Sequence, residues 1–163
     1  MDGDGTYQPE EMNKLVEPIQ KNKADHVAGS RLENREKGSI SWINLFGETV
    51  FNFFVRLYYG SDVSDMLTGY RAMSSRFVKN LPISAKDFGI ETEMTLMTID
   101  SDYRFKEVPI HYKKRRKGST KLHPISDGFR IAKTIIWISR DTKPLTFFSL
   151  VSLLFLFVGF FPS

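Results

Sequence analysis

The stretch Pro9 to Arg31, PEEMNKLVEPIQKNKADHVAGSR, sets the reading of the fold. Pro9 suits an early helical position, and Glu10 and Glu11 fall in the first turn, where the helix dipole favours negative charge. A helix is therefore expected over Pro9–Gln20. Ala24–Ser30 reads as a short strand that ends at Gly29-Ser30-Arg31. Arg31–Ser39 is charged, contains Gly38 and reads as a mobile loop. Trp42–Tyr59 then places Trp42, Leu45, Phe46, Val50, Phe53, Phe54 and Leu57 at helical spacing. Core packing is the expectation for that helix, with contact to lipid as the alternative. Gly60–Met66 is a connection, Thr68–Ser74 a strand and Arg76–Leu81 a short helix stopped by Pro82. Gly89–Ile99 reads as a helix, Phe105–Tyr112 as a strand and Pro124–Ser139 as a helix. Strands alternating with helices favour an α/β fold.

Composition narrows the chemistry. The chain has 163 residues, 41% hydrophobic and 26% charged, which excludes a wholly disordered protein. It has no Cys, so disulfides, thiolate metal sites and a cysteine nucleophile are excluded. Its three histidines, His26, His111 and His123, have no zinc-motif spacing and read as packed or surface residues. The formal charge is +4. Much of the excess lies in Lys113–Lys121, a basic loop with no acid in it.

The two ends read differently. Met1-Asp2-Gly3-Asp4-Gly5 lacks the apolar core of a signal peptide and looks like a loop from the middle of a fold. Pro144–Ser163 carries no charge, and 13 of the 17 residues from Leu145 to Phe161 are strongly apolar. A bilayer-spanning helix needs about 20 such residues. A transmembrane segment over 144–163 is expected, entering from the cytoplasmic side because Lys133, Arg140 and Lys143 precede it. A buried or interfacial helix is the alternative.

Four groups of residues can carry chemistry. Asp2 and Asp4 can share one hard divalent cation, or simply make a surface turn. Lys113 to Lys121, with Arg115, Gly118, Thr120 and Lys121, suits phosphate oxygens. A solvated loop or a patch on anionic lipid would look the same. Arg31, Asp65 and Arg71 each stand where a strand or turn meets a loop, and a structural salt bridge explains them equally well. Glu91 and Glu93 open a helix, where Glu91 reads as dipole stabilisation and Glu93 is a candidate base.

Taken in order, the landmarks resemble family 2 glycosyltransferases with the GT-A fold. They are Asp2-Gly3-Asp4-Gly5-Thr6-Tyr7 with Pro9-Glu10, Gly29-Ser30-Arg31, and Asp65–Met73 (DMLTGYRAM). Phe88–Met94 (FGIETEM), Val108-Pro109-Ile110 and Arg115-x-x-Gly118-x-Thr120-Lys121 complete the set. FGIETEM, Leu122-His123-Pro124 with Asp127-Gly128, and Lys143-Pro144-Leu145 look most like archaeal dolichyl-phosphate hexosyltransferases of S-layer N-glycosylation. The resemblance covers nearly the whole chain.

That resemblance implies a partial Rossmann-like nucleotide-diphospho-sugar transferase fold over residues 1–122. An amphipathic juxtamembrane helix (123–143) and the membrane segment (144–163) would follow. It implies that Asp2 and Asp4 hold Mg²⁺ or Mn²⁺ on the diphosphate of a nucleotide sugar, UDP-linked rather than GDP-linked. Arg31 falls near the phosphate of a dolichyl or similar polyprenyl phosphate acceptor. Arg115, Gly118, Thr120 and Lys121 close over phosphates, and Asp65 and Arg71 lie at the rim. The implied reaction inverts a hexose or N-acetylhexosamine at the cytoplasmic face of the cell membrane, with lipid and not nucleic acid as the surrounding partner. Glu93 falls where relatives place an acid. A phosphomonoester with a second pKa of about 6 needs no strong base, so Glu93 is expected to orient neighbours.

There are departures from the family pattern. The family's first strand–loop–helix unit with its nucleotide pocket has no counterpart before Asp2, and Thr6 stands where a Gln is common. The chain alone is therefore expected to be inactive, or active only with a missing N-terminal half supplied in trans; that half or a homo-oligomer is the expected protein partner. Transfer to a glycan hydroxyl, and a catalytically dead membrane partner of a full-length transferase, are the alternatives.

Overall fold

A computed structural model describes residues 5–81, 89–114 and 124–160. Asp2, Asp4, Arg115, Gly118, Thr120, Lys121 and His123 lie outside the described residues.

A turn of 3-10 helix at Pro9–Glu11 leads into α1 (Met12–Gln20), with Pro9 in its first turn as expected. β1 (His26–Arg35) and α2 (Trp42–Tyr59) come next. They are followed by β2 (Arg71–Met73), α3 (Ser75–Asn80) and α4 (Gly89–Asp100). β3 (Phe105–Tyr112), α5 (Pro124–Thr142) and α6 (Pro144–Phe160) complete the order. Helix ends follow local chemistry. The Ser41 side chain accepts from the Asn44 N–H at 3.3 Å and opens α2. Gly60 closes it at φ 68°, a left-handed position that suits glycine.

The sheet has the order β2-β1-β3. β1 runs antiparallel to β2 and parallel to β3. Pairing with β3 holds from His26↔Phe105 to Ser30↔Pro109 and resumes at Asn34↔His111. Four steps of β1 thus oppose two of β3, and Arg31 opens this bulge. Bulges bend a strand and re-aim its side chains. The parallel pair places the carboxyl ends of β1 and β3 at one edge of the sheet, the usual crevice of open α/β sheets.

One core cluster, Tyr7, Leu15, Ala24, Val27, Tyr70 and Ile110, joins α1 to the sheet. A second, Val55, Val63, Met66, Leu96 and Ile138, joins α2, the connection after it, α4 and α5. Gly29 is where β1 meets β3 most tightly. A Cβ there would stand 3.0 to 3.2 Å from side-chain atoms of Ile110.

Three expectations are corrected. Residues 31–35 belong to β1 rather than to a mobile loop, because ladder bonds to β3 resume past the bulge. The strand expected over Thr68–Ser74 shrinks to Arg71–Met73. Core packing of α2 fails for most of its apolar residues. Val55 is buried, while Trp42, Phe46, Phe53, Phe54 and Leu57 are exposed. The same exterior continues on α5 at Phe129, Ile136 and Trp137, and on α6 from Leu145 to Phe157. Among the described residues, no helix is long and apolar enough to cross a membrane. The 17 residues of α6 span about 25 Å against a hydrocarbon thickness of about 30 Å.

Candidate active site

Arg31 is the centre of the strand-end site. Its backbone N–H and Nε both donate to Asp65 Oδ2, at 2.7 and 2.8 Å. Its Nη2 donates to Asp65 Oδ1 at 2.6 Å, completing a bidentate fork. The same Nη2 meets both oxygens of Glu48, at 3.2 and 3.4 Å. The guanidinium also lies over the Tyr112 ring, 5.5 Å from its centroid. The Arg31 side chain is 12% exposed and those of Asp65 and Glu48 are 0% and 3%. Among the described residues, Nη1 of Arg31 makes no hydrogen bond. Burial works against the Arg31 charge, but Asp65 and Glu48 outweigh it and hold the arginine well above its ordinary pKa. Burial pushes Asp65 up, and Arg31 more than offsets this, leaving Asp65 below the usual carboxylate range.

Asp65 is delivered by a heavily anchored segment. Glu107 of β3 accepts the N–H groups of Ser64 and Asp65, both at 2.9 Å. Asn52 of α2 donates to the Ser64 carbonyl at 2.6 Å. Thr68 Oγ1 donates to the Gly29 carbonyl at 2.7 Å, and Gly69 N–H donates to the Tyr7 hydroxyl at 3.0 Å. Burial pushes the Tyr7 phenol up to about 12, so it stays neutral and can accept and donate. Tyr7 packs between Tyr70 and Tyr112, with 5.2 Å between ring centroids in each pair.

Arg71 sits in the same neighbourhood with a different set of partners. Its Nε donates to Thr68 O at 2.8 Å and its Nη2 to Met66 O at 2.7 Å. Its Nη1 reaches Thr95 Oγ1 at 2.8 Å and His26 Nε2 at 3.0 Å. Thr98 gives its hydroxyl proton to Met94 O, so its oxygen accepts from His26 Nδ1 at 2.7 Å. This leaves Nε2 of His26 as the acceptor for Arg71, which fixes the tautomer through the network. Burial, with the nearby Arg71 charge, pushes His26 down to about 3. Burial lowers Arg71 to about 10, still protonated at neutral pH.

The structure thus brings Arg31 and Asp65 together as a salt bridge and gives Arg71 its own network. Glu93 is buried on α4, two residues before the Thr95 that meets Arg71. The segments that carry the other candidates leave from this same place. Tyr7 forms a β-bridge with Tyr112, and Lys113 N–H donates to Thr6 O at 2.9 Å. The described chain on either side, Thr6-Tyr7 and Tyr112-Lys113, is thus joined beside the Arg31 end of the sheet. Among the described residues no group of three acidic or histidine side chains can hold a metal ion.

Glu48 and Glu107 escaped the sequence reading. Glu48 had a signal: it is the sole acid of α2, whose only other charge is Arg56. An acid on the inward face of such a helix needs a cation opposite. Glu107 had none, since alternation in a strand does not distinguish a solvated acid from one that grips backbone amides.

A second feature is an apolar cavity of about 460 Å³ between α2, α5 and α6, lined among others by Phe51, Phe54, Tyr58, Ile135, Phe147 and Leu150. Tyr58 ties these helices by donating to Ser139 O and Lys143 O, at 3.1 and 2.8 Å. Lys133 and Arg140 stack on Trp137, and Lys143 on Tyr59.

No family model matches the chain. Individual proteins do. The chain is 32% identical over 152 residues to glycosyltransferase AglJ of Haloferax volcanii, covering 93% of this chain and 50% of that protein. It is 30% identical over 151 residues to an undecaprenyl-phosphate mannosyltransferase of Micrococcus luteus, covering 86% and 57%. A dolichyl-phosphate hexose transferase of Haloferax volcanii is 29% identical over 142 residues, covering 87% and 60%. These relatives are sugar-transferring enzymes, and the mixed α/β architecture of this chain fits a partial Rossmann-like fold. Within that class, the chain is a relative of archaeal and bacterial glycosyltransferases that include polyprenyl-phosphate sugar transferases. It spans about half the length of the curated relatives it matches.

Proposed function

We propose that the chain forms the acceptor side of a membrane-bound glycosyltransferase. The enzyme would move a hexose or N-acetylhexosamine from a nucleotide sugar, UDP-linked rather than GDP-linked, to dolichyl phosphate or a similar polyprenyl phosphate. The product would enter lipid-linked glycan assembly for protein glycosylation. The observation that carries this reading is Arg31, locked by Asp65 at the carboxyl ends of two parallel strands with its Nη1 edge unengaged among the described residues. A buried guanidinium with donors left over is suited to phosphate oxygens.

The chemistry asks little of a base. A phosphate oxygen of the acceptor attacks the anomeric carbon, a new carbon–oxygen bond forms, and the nucleoside diphosphate leaves from the opposite face with inversion. The acceptor is largely a dianion at neutral pH, since its second pKa is about 6. The protein contributes alignment and charge stabilisation. Arg31 orients the acceptor phosphate. Arg115, Gly118, Thr120 and Lys121 supply donors from the segment that begins beside Thr6. Asp2 and Asp4 offer hard oxygen ligands for Mg²⁺ or Mn²⁺, which when bound would neutralise the departing diphosphate. Arg71 and Glu93 position the loop and helix behind the site.

The apolar groove suits the isoprenoid tail. Glu48, bonded to Arg31, and Phe51, lining the groove, lie three residues apart on α2 and so on one face. The exposed aromatics of α2, α5 and α6, with cations stacked on Trp137 and Tyr59, suit a bilayer interface on the cytoplasmic side.

The test is a transfer assay in membranes with a panel of nucleotide sugars and either a polyprenyl phosphate or the corresponding alcohol. It is run on this chain and on a chimera carrying it in place of the matching half of the Haloferax relative. Phosphate-dependent transfer that is lost in Arg31→Gln is the expected result. Transfer to the alcohol, or to a glycan hydroxyl at an equal rate, would sink the acceptor assignment.

A further inference from the structure

We propose that Glu48 is a positioning residue for phosphate capture, holding the Arg31 guanidinium from α2 as an uncharged acid. The inference rests on the reading of Arg31 as the phosphate-binding group.

The geometry places two buried acids on one guanidinium. Asp65 takes it as a fork, at 2.8 and 2.6 Å, and is the natural carboxylate partner. Glu48 has both oxygens on the single nitrogen Nη2, at 3.2 and 3.4 Å. With a side chain 3% exposed, a second carboxylate here would be a buried charge without a cation of its own. A proton on Glu48 removes that cost and lets its hydroxyl donate to Asp65 while its carbonyl accepts from Arg31. The surrounding groups agree. Asp65 and the Leu67 N–H face Glu48 from the loop, and Arg31 faces it from β1 with Tyr112 of β3 beneath. Glu107 of β3 is engaged with the amides of Ser64 and Asp65, and Arg71 of β2 with Met66 and Thr68. Burial, and then the charge of Asp65, push Glu48 well above its ordinary value, and Arg31 offsets only part of this.

The consequence is functional. A neutral Glu48 pins Nη2 and leaves Nη1 for the incoming anion without adding a repelling charge. Once Glu48 ionises, two carboxylates compete with the phosphate for one arginine. Anion affinity therefore falls as pH rises, although the phosphate itself gains charge above its second pKa of about 6.

The experiment uses the full chain and a water-soluble short-chain isoprenyl phosphate, with the matching alcohol as blank. Binding is measured by calorimetry from about pH 6 to about pH 9, spanning the range above the phosphate transition. Glu48→Gln, a neutral isostere, is expected to match the wild type at the low end and to keep its affinity where the wild type loses it. Glu48→Ala is expected to bind about tenfold more weakly throughout, the scale of one charge-assisted hydrogen bond. Infrared difference spectra should show a protonated-carboxyl band in the wild type that is missing from Glu48→Gln. A Gln variant as weak as Ala, or a wild type without that carboxyl band, overturns the proposal. If Glu48→Ala does not fold, the infrared band decides. Arg31→Gln separates the two levels. Unchanged binding there defeats the phosphate reading itself, whereas loss in Arg31→Gln with none in Glu48→Ala defeats only the role of Glu48.

Discussion

Arg31 and Arg71 are two buried arginines within reach of one loop, and they do opposite things. Arg31 is held by two acidic side chains, the Asp65 carboxylate and Glu48, and Nη1 makes no hydrogen bond among the described residues. Arg71 is held by neutral acceptors, the carbonyls of Met66 and Thr68, the Thr95 hydroxyl and the His26 ring, which engage Nε, Nη1 and Nη2. The first is built like a receptor for an anion. The second is built like a staple that fixes the loop from which Asp65 reaches Arg31. The difference is that one whole terminal nitrogen of Arg31 is unengaged among the described residues, whereas every nitrogen of Arg71 holds at least one acceptor.

The strongest challenge to this contrast is Arg71→Ala. It would leave buried carbonyl and hydroxyl acceptors without their donor, and should cost about 3–5 kcal/mol of stability in a denaturant titration. A loss below about 1 kcal/mol would mean that Arg71 is not the staple. Arg31→Lys should instead keep a cation for the buried Asp65 and leave the fold standing, while losing the planar fork and reducing polyprenyl-phosphate-dependent transfer about a hundredfold, about 2.7 kcal/mol in transition-state stabilisation. Equal damage to folding and transfer in both variants would erase the distinction. Gly29→Ala probes the strand contact between the two regions. The new methyl would meet Ile110 at 3.0 to 3.2 Å, so a loss of about 1–3 kcal/mol is expected in thermal unfolding. An unchanged melting temperature would show that β3 can yield.

The smallest effect is a pH slope. His26 is held near 3, below its ordinary 6.5, so the unfolded chain binds the proton first. His26 by itself contributes a fall of about 1.4 kcal/mol per pH unit as pH drops below about 6.5, while Glu48, raised in the folded chain, contributes the opposite sign over the same range. The difference between the wild type and His26→Gln isolates His26 down to about pH 4.5, because Glu48 is common to both and the carboxylates with lowered values, Glu11, Glu17, Asp25 and Asp65, lose their contribution only below 4.5 and 3.8. His26→Gln should therefore gain stability relative to the wild type as pH falls through this window. Parallel curves would assign the acid sensitivity to another group.

Much of the candidate site was legible from residue order. Helical spacing placed α2 at Trp42–Tyr59 and alternation placed β3 at Phe105–Tyr112, because these periods are local properties of the chain. Arg31 and Asp65 stood out as charged residues at strand and turn ends, and the landmarks in series pointed to polyprenyl-phosphate sugar transferases. The reading failed where the answer depends on what lies opposite. The bulge at Arg31 is a mismatch between two strands some eighty residues apart in sequence, and neither strand encodes it alone. The aromatics of α2 were expected in the core because periodicity shows that a helix has an apolar face, but not what covers that face.

The sequence by itself determined the helices, the strands and the identity of the chemical groups, through backbone sterics and hydrophobic period. Only the tertiary structure decided which arginine kept a whole terminal nitrogen in reserve. That depends on how many acceptors converge on each guanidinium from distant segments: Asp65 and Glu48 on Arg31, and Met66, Thr68, Thr95 and His26 on Arg71.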